Sequence, residues 1–323
     1  MPDTGAHPPV GFGQRLNTHQ EPAAGRITEL IVFKTIGLIF KHHDPRLGDT
    51  VRTLIALLRA SGADILLDAG NTMNAVGPDL TDLPRVGREQ LGVSCDLIIV
   101  VGGDGTFMGA ARTLHASGSR LLGINLGRLG FLADIYPNEI NDRLRPILAG
   151  EYIEESRFML HAAIDSDNPP ALGLQALNEI VLHKHNIARL IQFETRIDGR
   201  LLNSQRSDGL IVSTPTGSTA YALSGGGPIL TPDLEAIVVV PICPHTLSSR
   251  PIVLDARSQI EILIRDDMHN GAQLTGDGQD PLTVADGDRI IIQRMDEPLT
   301  LVHPRGHDHF ALLRAKLQWA KEL

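Results

Sequence analysis

Between Glu29 and about Gly150, short apolar or β-branched runs alternate with segments whose apolar residues recur at helical spacing. The runs are "LIVFKTIGLIF", "ADILLDAG", "DLIIVVGG" and "RLLGINLG", and the helical stretches lie near Leu47 to Ala60, Phe107 to Ala116 and Pro137 to Ala149. Alternation of this kind predicts a parallel sheet with crossover helices. The unbroken apolar character of "DLIIVV" predicts a strand covered on both faces.

Beyond Glu151 the texture changes. Runs such as "ARLIQFETRIDGRLL", "DGLIVSTPTG", "AIVVVPI", "SQIEILIR" and "DRIIIQRM" follow one another between turn residues, which predicts mostly antiparallel β structure in a sandwich or in layered sheets. Within "IDGR", Asp198 and Gly199 suit a hairpin turn because both accept positive φ. From His309 onward, Phe310, Leu313, Leu317 and Ala320 form one helical stripe, predicting a last helix that returns to the α/β half. The expected organisation is an α/β domain with a parallel sheet over 29–150 plus about 298–323, and a β-rich domain over 151–297. Residues 1–28, rich in Pro, Gly and polar side chains and without the apolar centre of a signal peptide, read as a disordered tail or as residues ahead of the true start.

Composition narrows the function classes. The chain has 323 residues, room for roughly two domains at about 150 residues each. Its net charge of -9 supplies no general attraction for nucleic acid or an anionic membrane, so neither is an expected partner. Two cysteines, Cys95 and Cys243, cannot build a disulfide framework or a four-ligand zinc site, and both read as core residues of a cytoplasmic protein.

Chemistry concentrates at three places. In "DLIIVVGGDGTFMGAAR" a strand enters a glycine-rich turn, where Gly102, Gly103, Gly105 and Thr106 let backbone N-H groups and a helix N-terminus approach phosphate. Asp104 stands among these glycines, where a P-loop would end in lysine. A carboxylate there accepts a proton from an attacking hydroxyl, binds a divalent metal, or does both; alternatively it caps a helix beginning near Phe107. In "TPTGSTAYALSGGG", Thr214, Thr216, Ser218 and Thr219 offer hydroxyls to a ribose or an amide, and Gly225 to Gly227 permit close backbone approach. In "ALNEIVLHKH", Asn178 and Glu179 interrupt an apolar strand, so one of them points inward and must find a ligand or a neighbouring strand as partner.

His183, His185, His303, His307 and His309 lack a matching ligand cluster and read as solvated or capping residues. "TGDGQDPLTVADGD" does not follow the spacing of a calcium loop.

Taken together, "GGDGT", "GINLGRLGFLAD", "NEIVLH" and "QRSDGLIVSTPTGSTAYALSGGGPILTP", with "PHTLSSRPIVL" further on, closely resemble bacterial NAD kinases over nearly the whole chain from about Ile31. Lipid kinases and phosphofructokinases share only the glycine-acid-glycine loop. The resemblance implies transfer of the γ-phosphoryl group of ATP to the 2′-hydroxyl of the adenosine ribose of NAD, a divalent cation such as Mg²⁺, and a homodimer or homotetramer. It implies Asp104 as proton acceptor. It also implies NAD contacts from Asp104, Gly105, Asn178, Glu179, Arg189, Arg206, Asp208, Thr219, Ala220, Tyr221, Ala222, Leu223, Ser224 and Gln279. Arg206 and Arg128 are the expected cations at the site, because the loop lacks a lysine. The competing expectations are a lipid or sugar kinase of the same superfamily and a non-catalytic NAD-sensing module.

Overall fold

The computed structural model describes residues 33–41, 44, 46–71, 80–127, 129–165, 173–185, 189–265 and 271–319. The amino-terminal tail and Arg128 lie outside the described residues.

The first half is built on a seven-stranded sheet. Its strands are β1 (Thr35–Phe40), β2 (Asp64–Asp68), β3 (Arg85–Val86), β4 (Leu97–Gly102), β5 (Arg120–Asn125), β6 (Tyr152–Arg157) and β19 (Leu299–Pro304). They lie in the order β3-β2-β1-β4-β5-β19-β6, all parallel except β6, which runs antiparallel to β19. Helices α1 (Leu47–Ser61), α2 (Arg88–Ser94), α3 (Asp104–Leu114) and α4 (Ile140–Leu148) cover it. Leu97, Ile99 and Val101 of β4 share a core with Leu54 and Leu58 of α1 and Leu144 of α4, whereas Ile98 and Val100 pack with Phe107 and Leu114 of α3. The period of two, buried on both sides, explains why β4 reads as a continuous apolar run.

Twelve strands form two six-stranded antiparallel sheets. One has the order β11-β10-β15-β18-β7-β8, made of β7 (Leu160–Asp165), β8 (Gly173–Ala176), β10 (Ile191–Ile197), β11 (Arg200–Ser207), β15 (Ile260–Ile264) and β18 (Arg289–Arg294). The other, β14-β13-β12-β9-β16-β17, contains β9 (Glu179–Lys184), β12 (Gly209–Ser213), β13 (Ala236–Ile242), β14 (Ile252–Asp255), β16 (Ala272–Gly276) and β17 (Leu282–Val284). Leu160, Phe193, Ile262 and Ile292 of the first sheet meet Leu182, Leu210, Val239 and Leu274 of the second in one apolar layer, so the pair is a sandwich. Asp198 and Gly199 turn between β10 and β11 with φ of 51° and 75°, as the Asp-Gly pair predicts.

The outer face of the β9-β12-β13 sheet is also covered. Val181, Ile211, Val238 and Val240 pack against Ala222 and Leu230 from the segment after β12, which contains the short helix α5 (Tyr221–Ser224).

Several expectations change. Tyr152–Arg157, beyond the expected boundary at residue 150, belongs to the first sheet, because β19 recruits it from a distance that local periodicity does not register. The short α2 and β3 have no counterpart among the expected elements, and α3 begins at Asp104 rather than near Phe107. Cys95 is buried at the end of α2, as expected of a core residue, but Cys243 is exposed with φ of 44° and is not one. The last helix, α6 (His309–Leu317), buries Leu313 but leaves Phe310 57% exposed. It meets the loop after β5, where the His309 ring lies 6.4 Å from that of Phe131 and Lys316 Nζ lies 5.0 Å from the same ring. Ala320 falls outside the described residues.

Candidate active site

The glycine loop joins β4 to α3. A Cβ on Gly102 would stand 2.6 Å from Thr106 Oγ1, so this position must stay bare for the turn to fold back on itself. Gly103 and Gly105 face open space. Gly103 holds the helix-cap position and Asp104 opens the helix, so Asp104 is not the cap of a helix beginning at Phe107. Its carboxylate reaches the loop after β5 instead: Oδ2 accepts from Phe131 N-H at 3.0 Å and Oδ1 from Leu132 N-H at 3.2 Å. A Cβ on Gly130 would collide with Asp104 Oδ1, so only glycine permits this approach. A carboxylate offers about four lone-pair directions, and two backbone donors leave the others to a hydroxyl or a cation.

A second carboxylate, Asp277, ties α3 to the strand that begins at Glu179. The side chain of Asp277 is fully buried and its φ is 48°; its oxygens accept from Leu177 N-H and Asn178 N-H at 2.8 Å and from Glu179 N-H at 3.3 Å. Arg112 of α3 donates to Asp277 Oδ2 at 3.1 Å. Asn178 O in turn accepts from Thr214 N-H at 2.9 Å, and Thr214 Oγ1 donates to Leu177 O at 2.6 Å. A Cβ on Gly217 would collide with Asn178 O, so the "TPTG" turn and the Asn178-Glu179 pair form one packed unit.

Glu179 is the residue of that pair that points inward. Burial and, after it, the charge of Asp277 raise its pKa to about 8, only partly offset by a hydrogen bond from Tyr221 N-H. Its Oε2 has no hydrogen-bond partner among the described residues. It lines a pocket of about 430 Å³ with His183, Lys184, Asp208, Tyr221 and Gly278. Lys184 Nζ lies 2.6 Å from Asp208 Oδ1 at this pocket.

Other expected contacts have different local roles. Thr214 Oγ1 and Ser218 Oγ bond to backbone carbonyls, Thr219 Oγ1 to Thr216 O, and Thr216 Oγ1 accepts from Arg157; these hydroxyls hold the turn together rather than standing free for a ligand. Gly225 and Gly227 approach Val240, where a Cβ would lie 2.8 and 2.9 Å from its methyl groups, so the triple glycine packs the segment onto β13. Ala222 is buried in that contact, Thr219, Ala220 and Leu223 are half-buried, and Tyr221 and Ser224 are exposed. Gln279 Nε2 donates to Gln175 O and Gly276 O and steadies the turn after β16. Arg189 and Arg206 are exposed and neither lines the pocket.

His303 and His307 are not solvated. His303 of β19 is 1% exposed; its Nδ1 lies 3.1 Å from Asp134 Oδ2, and its Nε2 lies 3.2 Å from Glu155 Oε2, off the direction of a hydrogen bond. His307 Nδ1 is 2.7 Å from the same Asp134 oxygen, and the two imidazoles stack at 3.9 Å. Arg157, also buried, pairs with Glu155 at 2.9 Å and donates to Thr216 Oγ1 at 3.1 Å. Burial would raise the pKa of Asp134, but His303 and His307 outweigh it and hold the carboxyl well below its usual range; burial likewise opposes the charge of His303, yet the facing carboxylates raise its pKa. Asp134, His303 and His307 could be taken for a metal site. The point on which both Nδ1 atoms converge is the Asp134 oxygen itself, at hydrogen-bond rather than metal-ligand distance. Sequence reasoning missed these long-range partners: Arg112 meets Asp277, Arg157 meets Thr216 and His303 meets Asp134 across tens of residues or more. The one local signal was His303 itself, a polar residue at the end of the apolar run "LTLVH".

Residues 36–152 match the family model described as the ATP-NAD kinase N-terminal domain, and residues 177–304 that of the ATP-NAD kinase C-terminal domain. The chain is 48% identical to an NAD kinase of Nitrosococcus oceani over 291 residues, covering 90% of this chain and 98% of the relative. It is 43% identical to an NAD kinase of Shewanella sp. (strain ANA-3) over 313 residues, 97% and 100% of the two chains. Among solved structures, yeast NADH kinase complexed with NADH has the same fold, with a TM-score of 0.79 at 24% identity over 91% of this chain and 90% of that one. An NAD kinase from Archaeoglobus fulgidus in complex with ATP superposes with a TM-score of 0.68 at 26% identity, over 88% and 98%.

Proposed function

Because this chain belongs to the ATP-NAD kinase family, we propose that its site transfers the γ-phosphoryl group of ATP to the 2′-hydroxyl of the adenosine ribose of NAD, releasing ADP and NADP. The observation that carries the reading is Asp104, placed at the mouth of the glycine loop with its carboxylate oriented by two backbone donors and with capacity left over. The ribose oxygen attacks the γ-phosphorus, the bond from that phosphorus to the β-γ bridging oxygen breaks, and the hydroxyl proton passes to Asp104. Such a reaction needs positioned phosphates and an oriented nucleophile more than covalent help from the protein.

The geometry supports a division of labour. The N-terminus of α3 and the open face at Gly103 and Gly105 receive the phosphates of ATP. Asn178 and Glu179 receive the ribose; a Glu179 that keeps its proton near neutral pH both donates and accepts hydrogen bonds, as a sugar hydroxyl requires. Arg112 lies eight residues beyond Asp104, about 12 Å along the helix axis, and through Asp277 it fixes the spacing between the two binding regions. Asp208, Tyr221 and Lys184 line the pocket that holds the rest of NAD.

A Mg²⁺-type cation fits the oxygens of Asp104 together with nucleotide phosphates, and not the imidazoles beside Asp134, since Mg²⁺ prefers oxygen ligands. When bound, it neutralises charge on the transferring phosphoryl group. A cytoplasmic location and a homodimer or homotetramer belong to the same reading, the assembly being measured by light scattering on the purified protein.

Incubation with ATP, Mg²⁺ and NAD, followed by an NADP-specific dehydrogenase, tests the proposal; no NADP at high protein concentration overturns it. Asp104→Asn is expected to keep NAD binding and lose about 10²-fold in kcat, the usual scale for a general base. Near-normal turnover in that variant would remove Asp104 from the role of proton acceptor.

A further inference from the structure

The phosphoryl-transfer scheme leaves His303 unused, although it is among the most deeply buried polar residues of the chain. It stands on β19, in the interior of the seven-stranded sheet between β5 and β6. Its imidazole faces two carboxylates on different elements, Asp134 of the loop after β5 and Glu155 of β6. Asp134 ends the run Gly130 to Asp134 that supplies both donors to Asp104.

Besides the packing of Phe131 against α6 and of Leu132 in the core, three kinds of contact position that run. Asn125 Nδ2 donates to Ala133 O at 3.2 Å, and Asn125 N-H donates to Ile135 O at 2.8 Å. Gly123 allows the run to lie directly on β5, where a Cβ would stand 2.6 Å from Ala133 Cα. The third contact is polar and longer in reach: His303 and His307 both hold Asp134 Oδ2. The first two fix the depth of the run against the sheet. The third links it to β6, whose Arg157 in turn bonds Thr216 of the "TPTG" turn.

We propose that His303 is a positioning residue for phosphoryl transfer: by holding Asp134 against Glu155 it sets the Phe131 and Leu132 N-H groups that aim the Asp104 carboxylate, and it ties that aim to the turn beside Asn178. Because the bond to Asp134 is made by a ring stacked on His307 and shut away from solvent, the contact is rigid, as a part that aims a base must be. This inference rests on the NAD kinase reading for its catalytic consequence, though its structural half does not.

The test uses the full chain, with His303→Gln and Asp134→Asn as separate variants, so that one remains if the other does not fold. Hydrogen exchange of the Phe131 and Leu132 amides is measured first, without substrates. Loss of protection at these amides, with β5 unchanged, is expected; unchanged protection in a folded variant overturns the proposal whether or not the protein makes NADP. In the kinase assay, kcat is expected to fall roughly 10-fold to 10²-fold while KM for NAD and for ATP stays within about 3-fold, the pattern of a misaimed group rather than a lost binding contact. The deciding measurement is the double variant. In an Asp104→Asn background, where the aimed group is gone, His303→Gln is expected to change the residual kcat by less than about 2-fold; a loss that multiplies with that of Asp104→Asn means His303 acts elsewhere and sinks the idea. Absence of NADP formation by the unaltered protein would refute the kinase reading alone, leaving the exchange result to judge the structural link.

Discussion

Glu179 and Asp134 are both carboxylates withdrawn from water, yet their pKa values move in opposite directions. Glu179 has a backbone N-H and the like charge of Asp277 as neighbours, and its pKa rises to about 8. Asp134 has two imidazoles, and its pKa falls well below the carboxylate range. Burial acts in the same direction on both and is the largest single influence on each. What separates them is the sign of the partners that the chain brings in from elsewhere, so the environment around Glu179 favours a neutral hydrogen-bonding group and that around Asp134 a fixed anion. The first suits a residue that hydrogen-bonds to an uncharged group, the second one that anchors a loop.

The comparison breaks most severely at Asp277. Asp277→Ala leaves Arg112 and three N-H groups without their acceptor, and the expected loss is about 3 kcal/mol in urea unfolding, the lower end for a broken buried pair because Arg112 keeps some exposure. The milder Asp277→Asn removes the like charge facing Glu179, so the Glu179 pKa should drop yet stay above 4.5, burial being its larger cause; a carboxyl-resolved NMR titration that finds it unmoved would discard Asp277 as a cause.

Glu179 gives the next effect. Its folded pKa lies above its unfolded one, so the folded state holds the extra proton between pH 4.5 and about 8; the stability it confers is complete below pH 4.5 and is lost as pH rises through 8. Glu179→Gln should flatten this decline by roughly 2 kcal/mol, taking about 1.4 kcal/mol per pKa unit and discounting for water in the open pocket. Equal slopes for the two proteins, without ligand, would contradict the assignment.

Glu155 gives the smallest. Burial opposes its charge, but His303 and Arg157 bring its pKa down to about 2, so its contribution is present above pH 4.5 and disappears as pH falls toward 2. Glu155→Gln should cost about 1 kcal/mol at pH 7 after allowance for its partial exposure and make the acid limb of the stability curve shallower. An acid limb as steep as that of the unaltered chain would show that Glu155 takes no part in it.

The parts of this design that are local in the chain were legible in the sequence. The glycine loop announces itself because an acid among glycines after an apolar strand has few uses, and the Asp198-Gly199 turn because its two residues tolerate the required φ. Asn178 and Glu179 stand out because polar residues in an apolar strand need partners. The partners themselves were not legible. Asp277 lies 165 residues from Arg112, and Asp134 lies 169 from His303, so no periodicity connects them. Phe310 misled for a related reason: a helical stripe marks which residues share a face, not how much of that face the neighbouring loop covers. The "TPTGSTAY" hydroxyls were visible but their targets were not, since a serine that braces a turn and one that meets a ligand are spelled alike.

The place of β19 between β5 and β6 has a consequence for how the chain comes into being. On a ribosome, β6 emerges with its Glu155 and Arg157 long before β19, the strand it pairs with in its sheet. The sandwich is synthesised in the interval, so the first sheet must wait with a gap at its edge until residues 299–304 arrive to fill it. Pairing over such a separation is slow, because the chain loses entropy in closing the loop before the contacts repay it. Completion of the sheet therefore follows synthesis of the sandwich, and the same event delivers His303 to Asp134: the run that holds the Asp104 carboxylate gains this brace only once residues 299–304 have joined the sheet.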